Sequence, residues 1–67
     1  MWAIRNKRTK KWLYGTDYSY CDGKPRQRTS FDRCMIFDSY ETAVLEFRIR
    51  ECGVNYELVL VKVEEGN

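Results

Sequence analysis

The 67-residue chain has no histidine, one proline, four glycines and three cysteines. Without histidine there is no Ser-His-Asp or Cys-His nucleophile and no His-bearing zinc site. Neither Tyr14-Gly15-Thr16-Asp17 nor Asp22-Gly23-Lys24-Pro25 has the G-x-x-x-x-G-K spacing of a phosphate loop. An apolar run such as Leu58-Val59-Leu60-Val61 is far short of the ~20 residues of a membrane helix. Charge arrives as early as Arg5, so the first residues do not read as a signal peptide. The expected compartment is therefore the cytosol, with no membrane partner. Cys21, Cys34 and Cys52 are odd in number and form no C-x-x-C pair, which suits reduced thiols better than disulfides or a metal site. Asp17, Asp22 and Asp32 could gather a divalent cation for a metal-dependent nuclease, but Asp in loops more often caps turns. No metal, cofactor or enzymatic activity is expected.

What is present is a folded composition. Hydrophobic residues make up 43%, too many for a disordered tail, and aromatics 15%, enough to fill a small core and still supply binding faces. The length allows one domain, residues 1–67, and a domain of this size buries only ~60% of its unfolded surface. The net charge of +2 conceals an asymmetry. Residues 1–34 hold nine basic and three acidic residues, a balance of +6, whereas residues 35–67 hold three basic and seven acidic, a balance of −4.

Trp2 to Arg5 and Lys11 to Thr16 read as two strands joined by the polar turn Asn6-Lys7-Arg8-Thr9-Lys10, a β-hairpin with a basic tip. Trp12, Tyr14, Tyr18 and Tyr20 recur at even spacing, which in a continuing strand places them on one sheet face. Beyond Asp22-Gly23, Lys24, Arg26 and Arg28 alternate with other residues. A tight turn there would set Asp17 opposite Arg28 and Ser19 opposite Arg26. An exposed loop over residues 17–32 is slightly preferred, because Pro25 cannot donate to a ladder. The third strand is placed at Arg33 to Phe37.

Asp38-Ser39-Tyr40-Glu41 suggests a capping box with Asp38 as N-cap, and Gly53 marks a stop, so the helix is predicted over about 39–52. Its core stripe is Tyr40, Ala43, Val44 and Phe47, with Leu45, Ile49 and Cys52 pointing elsewhere. Val54 to Glu65 is apolar on both faces through the middle and reads as a central strand. The expected fold is α+β: a small, mostly antiparallel sheet with one packed helix, in the order β-β-β-α-β. Surplus apolar residues at Leu45, Ile49, Cys52, Val59 and Val61 suggest a homo-oligomer interface.

In outline, the segments Ile4-Arg5-Asn6-Lys7, Trp12-Leu13-Tyr14-Gly15-Thr16-Asp17, Phe37-Asp38-Ser39-Tyr40-Glu41-Thr42-Ala43 and Tyr56-Glu57-Leu58-Val59 before Val61-Lys62-Val63 resemble those of small accessory proteins of bacteriophages and prophages. The resemblance implies a non-enzymatic factor that binds and inhibits a host protein, such as a component of an anti-phage immune system, in the host cytosol. It transfers no functional residue. The residues themselves point to a basic, aromatic-rich surface of Arg5, Lys7, Arg8, Lys10, Lys11, Trp12, Tyr14, Tyr18, Tyr20, Lys24, Arg26 and Arg28. Lys and Arg neutralise phosphates and aromatic rings stack on bases, so nucleic acid or a nucleotide ligand is the alternative partner. The same charges also suit an acidic protein surface, or simply a solvated hairpin over an aromatic core.

Overall fold

The computed structural model describes residues 1–18 and 23–62. Four strands, β1 (Trp2–Asn6), β2 (Trp12–Asp17), β3 (Arg26–Ser30) and β4 (Tyr56–Leu60), form a curled antiparallel sheet in the order β3-β2-β1-β4. One helix, α1 (Tyr40–Ile49), packs on it. The α+β class and the β-β-β-α-β order match the sequence reading, but the third strand is a different segment, the helix is shorter at both ends, and the last strand begins at Tyr56 rather than Val54.

The β1–β2 tip is built by Asn6. Its Oδ1 accepts from the backbone N–H groups of Arg8 (2.9 Å) and Thr9 (3.0 Å). Lys10 takes φ +65° to close the turn, and Asn6 N–H then meets Lys11 C=O at 2.9 Å. Past this end the strands part after one register pair, Arg5↔Trp12. The segment after β3 takes up the backbone groups they would have exchanged: Met35 N–H donates to Leu13 C=O at 3.0 Å, and Trp2 and Phe37 exchange both bonds at 2.8 Å. Arg33 to Phe37 is therefore a wedge with a single bridge to β1, not the expected third strand.

The third strand is Arg26–Ser30, inside the stretch for which a loop was preferred. Pro25 stands just outside the ladder, whose first pair is Asp17↔Arg26, so its missing N–H removes no bond. The register differs by two residues from that set by a tight turn at Asp22-Gly23, and Asp22 lies outside the described residues. No residue of β3 is in the core cluster or among the side chains packed on it. On its helix side β3 is instead tied down by polar contacts. Gln27 Nε2 donates to the Arg50 carbonyl, Arg50 Nη1 donates to Thr16 Oγ1 (2.8 Å), and Arg50 Nε and Nη2 reach Glu46 Oε1 (3.3 and 3.1 Å).

The helix starts one residue later than predicted. Ser39, not Asp38, is the N-cap: it is extended (φ −126°, ψ 156°) and its Oγ accepts from Thr42 N–H at 3.2 Å. The helix ends three residues early. Glu51 takes the left-handed position (φ +51°), with Glu51 N–H on Arg48 C=O (3.0 Å) and Cys52 N–H on Phe47 C=O (3.2 Å). That is a Schellman closure with a glutamate where glycine is favoured. Gly53 (φ +72°) instead opens a 3₁₀ turn, Gly53–Asn55, leading into β4. The closure swings Cys52 inward to 6% exposure, so it does not share a surface with Leu45 and Ile49.

The core is Ile4, Leu13, Phe37, Ala43 and Cys52, flanked by Trp2, Met35, Phe47, Tyr56 and Leu58. Ile4 and Leu13 are fully buried, which stabilises the fold by roughly 1.5–3 kcal/mol each. Trp2 stacks on Tyr40 with ring centroids 4.9 Å apart, fixing the first helical turn to β1. β4 is an edge strand paired with β1 alone among the described residues, not the central strand that its two apolar faces suggested.

Two outcomes follow. Glu51→Gly should stabilise the protein by about 1 kcal/mol by relieving the left-handed backbone, seen as a higher thermal midpoint. Arg50→Met should speed amide hydrogen exchange in Arg28 and Ser30 while leaving the β1–β4 ladder protected, because the Arg50 side chain anchors the β2–β3 ribbon through Thr16.

Candidate nucleic-acid interface

Register settles which side chains share a face. Ile4 pairs with Leu58 on the helix side, so Arg5, paired with both Glu57 and Trp12, lies on the opposite face. Trp12 is in turn opposite Ser30. At Tyr14 the ladder slips: Leu13 opposes Thr29 and Gly15 opposes Arg28, leaving Tyr14 as the extra residue of a bulge. Beyond the bulge Gly15, Asp17, Arg26 and Arg28 share the open face, while Thr16 and Gln27 turn to the helix and meet Arg50. The even-spacing argument therefore reaches only from Trp12 to Tyr14. Tyr18 falls past the end of β2, 57% exposed, and Tyr20 lies outside the described residues.

Cations sit on the rings of this region. Arg5 Cζ is 5.5 Å from the Trp12 ring centroid, Arg33 Cζ 5.7 Å from Tyr14, and Lys11 Nζ 5.5 Å from Phe31. Such contacts occur about once per 70–80 residues, so three among the described residues is a marked concentration. Arg33 and Phe31 were not in the expected set. Arg33 was placed at the start of a strand, and nothing local indicated that the crossover from β3 would lay it over Tyr14.

Acidic partners hold two of the arginines in place. Arg5 Nη2 and Nε donate to Glu57 Oε2 at 2.8 and 3.0 Å, and Arg28 Nη2 meets Asp17 Oδ2 at 3.1 Å. Around the tip Lys7, Arg8 and Lys10 are exposed, and Lys24 and Arg26 are exposed beside the β2–β3 ribbon. The Arg5 hydrogen bond, together with the charges of Arg5, Lys10 and Lys7, holds the Glu57 carboxyl below its ordinary value of 4.5. The structure thus gathers Arg5, Trp12, Arg26 and Arg28 on the sheet face away from the helix, with Tyr14 at the bulge among them and the tip cations at one end.

The expected oligomer set is not brought together. Leu45 and Ile49 are 57% and 55% exposed on the outer side of the helix. Val59, half-buried, shares by alternation the sheet face away from the helix, and Val61 follows the end of β4. Among the described residues no three His, Cys, Asp or Glu gather as metal ligands. Burial raises the Cys34 thiol and pushes Cys52 up to about 11, so both stay protonated near neutral pH. No protein-family model, curated protein sequence or solved structure matches the chain.

The Arg5–Glu57 pair has a defined pH signature. Its contribution is fully present above the unfolded-state glutamate value and is lost as pH falls through the lower folded-state value. Urea unfolding at neutral pH and at about pH 3 should show the wild type losing more stability on acidification than Glu57→Gln, which lacks this contribution at both.

Proposed function

We propose that the protein is a non-enzymatic binding module that holds single-stranded nucleic acid across the sheet face opposite the helix. The observation that supports this reading is the pair of cation–aromatic contacts on Trp12 and Tyr14, bordered by the exposed tip cations Lys7, Arg8 and Lys10. Rings and guanidinium planes stack on unpaired bases, and the surrounding Lys and Arg neutralise the backbone. A duplex buries its base faces and offers such a surface only phosphates, so a single strand suits it better.

An acidic protein surface would use the same charges but not the rings. Fluorescence anisotropy with labelled oligo-dT and oligo-U, repeated over rising salt, separates the two. Binding through about four phosphates should give a log–log salt slope near −3. Trp12→Ala should weaken it by about tenfold or more, within the range for one lost stacked base. The combined Arg8→Glu, Lys11→Glu and Arg33→Glu variant should abolish it. An absence of binding at micromolar protein overturns the proposal, as does binding that Trp12→Ala leaves unchanged.

A further inference from the structure

A second surface, which meets the basic face at Lys7, lies where α1 meets the sheet edge. The outer edge of β4 pairs with no strand among the described residues. Lys7 N–H donates to Asn55 C=O and Val61 N–H to Met1 C=O, both at 2.8 Å. Residues 55, 57, 59 and 61 therefore aim their backbone at β1, and by alternation Tyr56, Leu58 and Leu60 aim theirs outward. Tyr56 N–H is taken by the Gly53 carbonyl. That leaves the Tyr56 carbonyl and both backbone groups of Leu58 and Leu60 facing away from the sheet.

The same residues wall a groove. Tyr56 and Leu58 line one side of an open cleft of about 430 Å³, and Tyr40, Val44 and Phe47 of α1 line the other. An apolar cleft running beside an unpaired strand edge has the geometry for strand addition. A segment paired with β4 places every second side chain on the helix side, in the cleft, while its backbone bonds to Leu58 and Leu60. The five residues of β4 span about 16 Å, enough for a bound segment of five or six residues.

Charge selects the occupant. Lys7 and Arg48 also line the cleft, and neither forms an ion pair among the described residues. Glu57, at the same site, is held by Arg5. The cleft is thus cationic at its rim, which suits a ligand carboxylate. A second copy joined edge to edge would instead bring two such cationic rims to one side of a continuous sheet.

We infer that the groove between α1 and the β4 edge binds an extended peptide with alternating apolar residues and a carboxylate, taken up as a fifth strand. This goes beyond the nucleic-acid reading and uses none of its rings.

The test pans a displayed library of random heptapeptides against the full chain. Enriched peptides should alternate apolar residues and carry Asp or Glu. A synthetic peptide of the enriched sequence should shift the Leu58 and Leu60 amide resonances. Leu60→Pro removes one outward N–H from a side chain already 67% exposed, and proline is tolerated where an edge N–H faces solvent. It should weaken binding about tenfold or more, and Arg48→Glu should do the same, with oligo-dT affinity unchanged in both. Should Leu60→Pro fail to fold, a peptide N-methylated at its paired amides must lose binding to the wild-type chain. The inference is overturned if no alternating acidic sequence is enriched or if the N-methylated peptide binds as well. It is also overturned if the edge proves to be occupied by a second copy, shown by a dimer mass by light scattering that Leu60→Pro reduces to a monomer.

Discussion

A single short helix must close one side of a sheet about as wide as the helix is long. Ten residues of helix span about 15 Å, and four strands span about 14 Å between their outer axes. The helix meets this demand unevenly. Its apolar stripe, centred on Ala43 and Phe47, lies over Ile4, Leu13 and Leu58, and so covers β1, the near part of β2 and β4. It does not reach β3 with apolar atoms. Only the Arg50 side chain and carbonyl at the helix end extend that far, through Thr16 and Gln27. The stability of the β2–β3 ribbon is therefore polar and local, while the rest of the sheet is held by the hydrophobic core.

The other side of the sheet follows from the same constraint. With no second helix among the described residues, the face away from α1 carries side chains that tolerate water. Two are arginines whose guanidinium groups lie over aromatic rings. Arg5 over Trp12 and Arg33 over Tyr14 shield aromatic surface that would otherwise be bare. Glu57 and Asp17 then fix two of the guanidiniums. The arrangement is both the sheet's cover and a charged, aromatic surface, so structural and binding roles rest on the same residues. The edge beside α1 is a different by-product: a helix centred over β1 leaves a cleft along the outer flank of β4.

Parts of this were legible in the chain. The basic β1–β2 hairpin was marked by two short strand segments flanking the polar turn Asn6 to Lys10, and the helix stripe by Tyr40, Ala43, Val44 and Phe47 at helical spacing. The capping signal was real but ambiguous by one position, since Asp38 and Ser39 are both good caps; only the backbone shows that Ser39 is extended and bonded to Thr42. Val59 and Val61 made β4 look buried on both faces. Apolar content reports affinity for a core, however, not position within a sheet. For the candidate surface, Arg5, Lys11, Trp12 and Tyr14 were found by charge and spacing. Arg33 was not, because the crossover after β3 brings it over Tyr14.

The sequence by itself determined the α+β class, the element order, the basic tip and the charge division between the halves, because each depends on local pattern or composition. The tertiary structure alone decided which of two candidate segments became the third strand. Arg26–Ser30 has no apolar residue, and its alternation left a hairpin and a loop nearly even; it is a strand because β2, Arg50 and Asp17 supply its partners. Arg33–Phe37 has the better strand pattern, yet it became a wedge because β1 and β2 part beside it and leave Trp2 and Leu13 backbone groups to satisfy. The bulge at Tyr14, the left-handed Glu51 and the inward turn of Cys52 have the same origin. Each depends on contacts between residues distant in the chain, which local spacing does not encode.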